Sequence, residues 1–143
     1  GMPHQVSVFA ENKPGKISRV TEVLSRNNIN IRAITISDSG DYGIIKLLLD
    51  KPAEGNECLK NEGITSTLKD IVAIIIDDSP GGLHKAASLL SNSNINVEDA
   101  YGFTIREKNQ AVFVFQVEDV PLTEKLLKEA GFTIISDKEL YYL

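Results

Sequence analysis

Glu11-Asn12-Lys13-Pro14-Gly15-Lys16-Ile17 is followed, after a short amphipathic stretch, by Asn28-Ile29-Asn30-Ile31. The chain carries the same arrangement again as Asp77-Asp78-Ser79-Pro80-Gly81-Gly82-Leu83 and Asn94-Ile95-Asn96-Val97. One offset of 66 residues separates both Pro14 from Pro80 and Asn30 from Asn96. Residues 6–31 and 72–97 share eight identities in 26 positions: Val6, Pro14, Gly15, Leu24, Ser25, Asn28, Ile29 and Asn30 all recur. A fixed offset with matching chemistry is an internal duplication.

Working outward from the first copy, residues 5–10 alternate and predict a strand, and residues 11–14 a turn. Ile17, Val20, Val23 and Leu24 then fall on one helical stripe. Asn27-Asn28 predicts the helix stop, since Asn tolerates the left-handed conformation. Residues 29–37 read as a strand whose phase slips near Ala33-Ile34, the mark of a bulge. Asp38-Ser39-Gly40-Asp41 reads as a hairpin turn, and residues 42–50 as an apolar central strand. A helix from Pro52 to Gly63 follows, with Cys58 and Leu59 inward and weakened by Gly55, and a short fourth strand at 64–69.

From residue 72 the cycle restarts. It predicts a strand at 72–77 and a helix at 81–92 with Leu83, Ala86, Ala87, Leu89 and Leu90 inward. A hairpin of 95–105 with 111–117 turns at 107–110. A helix at 121–130 opens on Pro121, where the missing N–H costs nothing, and a last strand begins at Phe132. The apolar tail Leu140-Tyr141-Tyr142-Leu143 is expected to dock or pair. Each half is therefore β-α-β-β-α-β, the split βαβ or ferredoxin-like unit, in the α+β class, with an antiparallel sheet and helices on one face. The two repeats are residues 3–70 and 71–143. With almost no linker and about 70 residues each, they are expected to pack as a fixed pair.

Composition narrows the function. Hydrophobic residues make up 42% of the 143, too many for a disordered chain. The net charge of −5 lacks the clustered Lys and Arg that nucleic-acid phosphates demand, and the strand Gly43–Leu49 has no aromatic platform for RNA. No apolar run approaches the roughly 20 residues of a membrane span, and no secretory leader is visible. Gly1 ahead of Met2 reads as the remnant of a removed tag. A single Cys58 cannot form an internal disulfide and fits a reducing, cytoplasmic setting. No Cys pair or His cluster has metal-ligand spacing, and Gly81-Gly82 lacks the Lys-Ser/Thr of a phosphate loop. His84 reads as a solvated helix residue, and no serine has a nucleophile-elbow context. No catalytic residue and no cofactor is expected.

The turn before each first helix is the remaining chemistry. N–H groups at Gly15, Lys16 and Ile17 lie at a helix start, Gly15 blocks nothing, and the dipole adds about half a positive charge. Such a place suits a small carboxylate. Asn12 can donate and accept, and a second Asn at Asn30 could complete a site for an amino-acid head group. The plainer alternative is a strand-to-helix turn with Asn12 as a turn former and Asn30 at a strand edge.

Together, an Asn or Asp, any residue, Pro-Gly and an apolar residue, with Asn-Ile-Asn after the helix, resemble the ACT domain over nearly the whole chain, twice. The resemblance implies regulatory binding of a free amino acid where two ACT repeats meet side by side. Carried over residue by residue, the ligand-binding positions are Asn12, Gly15, Lys16, Ile17 and Asn30, with Asp78, Gly81, Gly82, Leu83 and Asn96 in the second copy. Such domains usually accompany a catalytic domain, so a stand-alone pair implies a separate partner, a biosynthetic enzyme or regulator, and a homodimer. The alternative is a pairing module that binds no ligand. Asp78 in place of Asn12 should favour an ammonium group and Gly82 in place of Lys16 should open the loop, so the two sites are expected to differ.

Overall fold

The computed structural model describes residues 2–143, apart from the side chain of Arg106; Gly1 lies outside the described residues. Two compact units divide the chain: His4–Lys69, and Asp70–Leu143 with the N-terminal residues through Pro3. Met2 packs on the core of the second unit, and the Ile71 N–H donates to the Pro3 carbonyl at 3.1 Å.

The first unit runs β1 (His4–Glu11), α1 (Lys16–Arg26), β2 (Ile31–Ser39), β3 (Tyr42–Leu49), α2 (Pro52–Asn61) and β4 (Thr65–Asp70), with sheet order β2-β3-β1-β4. Strand β3 pairs antiparallel with β1, Val6 opposite Leu47, and with β2. Alternation sends Val6, Val8, Ile45, Leu47 and Leu49 to one face, where Val20, Val23 and Leu24 of α1 and Leu59 of α2 bury them. Ile17 departs from the expected stripe: it stands in the first turn and is 40% exposed. Cys58 is partly buried against the same core.

Helix α1 ends in a Schellman motif. Asn28 has φ +59°, its N–H donates to the Ser25 carbonyl, and the Ile29 N–H reaches back to Leu24 at 2.9 Å. Ile29 is buried as the motif's apolar partner, so β2 begins two residues later than the alternation suggests. The bulge lies between Ile31 and Ala33, one position before the expected slip. Gly40, at φ +72°, opens a two-residue hairpin turn.

The second unit repeats the plan as β5 (Val72–Asp77), α3 (Gly82–Asn92), β6 (Asp99–Ile105), β7 (Gln110–Gln116), α4 (Val120–Glu129) and β8 (Thr133–Ile134), in sheet order β6-β7-β5-β8, and adds α5 (Asp137–Tyr141). The same Schellman bonds recur, Asn94 to Ser91 and Ile95 to Leu90. Four differences from the sequence reading stand out. Strand β6 starts at Asp99, not Ile95, because Ile95 and Val97 pack on the core as an irregular segment. Leu83 and Ala87 are exposed, leaving Ala86 and Leu90 as the buried residues of α3. The hairpin turn is one helical 3-10 turn closed by Asn109 at φ +52°. The last strand has two residues, because a Ser136–Glu139 capping box starts α5, which docks through fully buried Leu140.

Gly55 weakens α2 by propensity, yet the fold requires it. A Cβ there would stand 2.5 Å from Cδ1 of Leu49, a fully buried side chain. Gly55→Ala is expected to lower stability by roughly 1–3 kcal/mol through overpacking, outweighing about 1 kcal/mol of helix propensity. Urea unfolding at equilibrium measures the sign; a more stable variant would show that Leu49 moves aside freely.

Candidate functional site

The first Pro-Gly turn is stitched to the neighbouring hairpin. Gly15 is the N-cap of α1 at φ +93°, with open space where a Cβ would stand, so backbone conformation and not crowding selects glycine there. The N–H groups of Lys16 and Ile17 fall in the first turn, where no intrahelical acceptor exists. Both ends of the Asn12 amide are engaged: Nδ2 donates to the Gly40 carbonyl at 3.1 Å, and Oδ1 accepts from Lys16 Nζ at 3.0 Å. Lys16 Nζ also pairs with Asp38 Oδ1 at 3.0 Å, and its side chain is only 12% exposed. Gly43 makes room for this pair, since a Cβ there would lie 3.0 Å from the Asp38 oxygen and 3.1 Å from Lys16 Nζ.

The second turn is built differently. Gly81 caps α3 at φ +87°, as Gly15 caps α1. At Gly82, however, the place of a Cβ is taken by the Asp77 carbonyl oxygen, and the Gly82 N–H donates to the Ser79 carbonyl at 3.0 Å. Gly82 therefore does not open the loop; it lets the loop close onto β5. Asp78 is held by its backbone N–H, which donates to Asn109 at 3.0 Å, and its side chain is exposed. Ile17 and Leu83, equivalent residues, are both large exposed hydrophobics, at 40% and 46%.

Asn30 and Asn96 lie at the other ends of the two helices. Helix α1 has 11 residues, so about 16 Å separates the Pro-Gly turn from the Asn-Ile-Asn segment. The turn sits beside the β2–β3 hairpin, and Asn30 sits where β2 begins, at the opposite end of the strands. Within one repeat the two halves of the expected head-group site do not come together.

Each Asn instead lines a cavity at its own helix end. In the first repeat Thr21, Ser25, Asn28, Ile29, Asn30, Ile31, Asp50 and Lys51 bound about 550 Å³. The Asn30 N–H donates to Asp50 Oδ1 at 3.0 Å, and the Asp50 N–H returns to the Asn30 carbonyl at 3.1 Å. Lys51 Nζ donates to the Asn28 carbonyl at 2.9 Å. In the second repeat Ala87, Leu90, Ser91, Asn94, Ile95, Asn96 and Val97 bound about 460 Å³. Among the described residues, no group of three or more His, Cys, Asp or Glu could hold a metal ion, and no helix is long and apolar enough to cross a membrane.

A family model described as an ACT domain pair matches residues 2–143. The chain belongs to the ACT domain family. A protein of known crystal structure from Bacteroides thetaiotaomicron is 31% identical and superimposes with a TM-score of 0.92, over 99% of this chain and 97% of that one. The ligand-free regulatory subunit of aspartate kinase from Thermus thermophilus shares the fold at a TM-score of 0.66 and 15% identity, over 91% and 93% of the two chains. The Thermus flavus regulatory subunit of aspartate kinase gives 0.60 and 17%, over 91% and 94%. No curated protein matches.

The ACT pair thus carries two turns of different construction and two equivalent cavities of different polarity. Sequence reasoning missed Thr21, Ser25, Asp50 and Lys51 as cavity residues. The one available signal was that Asp50-Lys51 ends the strand whose antiparallel partner begins at Asn30.

Two substitutions probe the turns. Lys16→Met removes the bonds to Asn12 and Asp38; because Asp38 is half exposed, the expected loss is about 1 kcal/mol, smaller in high salt. Gly82→Ala drives a methyl into the Asp77 carbonyl and is expected to cost roughly 1–3 kcal/mol. Thermal unfolding of both variants measures these losses.

Proposed function

We propose that this ACT pair is a non-catalytic regulatory module that binds a free amino acid and passes its occupancy to a partner, a biosynthetic enzyme or regulator. The observation that carries the reading is the double occurrence of a turn with a left-handed glycine cap, at Gly15 and Gly81, together with an Asn-Ile-Asn segment that lines a cavity in each repeat. Lys16 and Ile17 present first-turn N–H groups suited to a carboxylate. The Asn30 side-chain amide makes no hydrogen bond among the described residues and is available to a ligand.

The proposed ligand set is Asn12, Gly15, Lys16, Ile17 and Asn30, with Asp78, Gly81, Gly82, Leu83 and Asn96. Because about 16 Å of helix divides turn from Asn in one repeat, the turn and the Asn of one repeat do not hold the same head group. A ligand that binds one conformation of the pair better than another shifts the population toward it, which is how binding reaches a partner. We place the protein in the cytoplasm as a homodimer. The pairing-module alternative is favoured by one observation, the exposure of Ile17, Ile34, Ile36 and Leu83, apolar surface suited to another protein.

A thermal-shift series with each of the twenty amino acids separates the two. Binding raises the midpoint for at least one of them; an unmoved midpoint throughout supports the pairing module. Asn30→Ala is expected to weaken that binding by tenfold or more, the loss of about 1.5–3 kcal/mol for a hydrogen bond to a charged group. Unchanged affinity in both Asn30→Ala and Asn96→Ala removes those residues from the site.

A further inference from the structure

The two Asn-lined cavities share a plan but not a charge. In the first, an anion and a cation stand side by side on consecutive residues, Asp50 and Lys51. Neither is bonded to the other among the described residues. Asp50 Oδ1 accepts from the Asn30 N–H, which fixes the carboxylate while leaving its second oxygen open; Lys51 Nζ donates to the Asn28 carbonyl, which fixes the ammonium while leaving two of its donors open. The hydroxyl of Ser25 and the side chain of Asn30 line the same space, above the apolar Ile29 and Ile31.

The lining of the second cavity carries neither charge. Val6 faces Leu47 in the first sheet and Val72 faces Phe115 in the second, so Glu118 and Asp119 occupy the positions of Asp50 and Lys51. Lys51 and Asp119 are likewise the N-caps of α2 and α4. Asp119 is taken up in capping, accepting from the Leu122 N–H at 3.1 Å. No charged residue lines that cavity, and Ala87 stands where the first has Thr21.

We infer that Asp50 and Lys51 are the specificity-determining residues for a zwitterionic α-amino acid, and that the Asn30 end of the first repeat is the tight site while the Asn96 end is weak. The open oxygen of Asp50 and the Asn30 carbonyl oxygen receive the ligand ammonium. Lys51 and the Ser25 hydroxyl receive its carboxylate. The two protein charges are held by backbone groups before the ligand arrives, so little side-chain freedom is lost on binding. The inference rests on the amino-acid-binding reading above and deepens it by naming two residues outside the family motif.

Calorimetry on the full chain tests it, with each of the twenty amino acids as probe, and with the amide and the N-acetyl derivative of any that binds. Lys51→Met and Asp50→Asn are each expected to weaken binding at least about tenfold. Lys51→Arg, which keeps the cation, should stay within a few-fold of wild type, and Glu118→Gln should bind as wild type. The amide and N-acetyl derivatives should bind weakly to the wild-type chain. Asp50→Asn retains an oxygen for the Asn30 N–H, so its fold is preserved and a weak affinity reports the lost charge. Wild-type affinity in both Lys51→Met and Asp50→Asn overturns the inference while leaving amino-acid binding in place. If no amino acid binds the wild-type chain, the binding reading itself falls and this inference with it.

Discussion

Each repeat hangs on a helix pinned at both ends by a residue in the left-handed region. Gly15 and Asn28 bracket α1, and Gly81 and Asn94 bracket α3. A left-handed residue reverses the chain in one step, so strand, helix and next strand fold back on each other within about thirty residues. Glycine adopts this conformation without steric penalty, and asparagine does so more readily than other residues. That constraint fixes where the helix starts and stops, which residues meet the sheet, and how far the turn lies from the Asn-Ile-Asn segment.

This is also why so much of the fold was legible. Pro-Gly and Asn-Ile-Asn are local signals with a single conformational meaning, and both occur twice at one offset. The features that were not legible depend on neighbours distant in sequence. Gly55 looks like a flaw in a helix until Leu49 is placed against it, and Gly82 looks like an opening until the Asp77 carbonyl occupies it. Ile17 and Leu83 keep helical phase with the core yet lie beyond its edge. Ser136 and Glu139 carried a readable capping box, but the apolar residues before them drew the reading toward a longer strand.

For the candidate site, the turn and the asparagine of one repeat were read as two sides of one head-group site, and the structure holds them apart at the two ends of the helix. Spacing along a chain gives the length of the intervening helix, and eleven residues of helix hold two points apart as firmly as eleven residues of loop would let them meet. Asp50 and Lys51 belong to no motif. Only the pairing of Ile31 with Leu49 in the sheet brings the end of β3 to the start of β2 and so to Asn30.

The β2–β3 hairpin turns on two residues, between Ser39 and Tyr42, whereas the β6–β7 hairpin turns on four, between Ile105 and Gln110. The short hairpin holds the Gly40 carbonyl and the Asp38 carboxylate where Asn12 and Lys16 can grasp them. A hairpin two residues longer presents neither, and its partner turn has an aspartate and a glycine in place of the asparagine and lysine. Turn and hairpin therefore work as a single unit: the length of the hairpin decides whether an asparagine and a lysine about thirty residues upstream have anything to hold, so the two repeats differ at one end while their cores are alike.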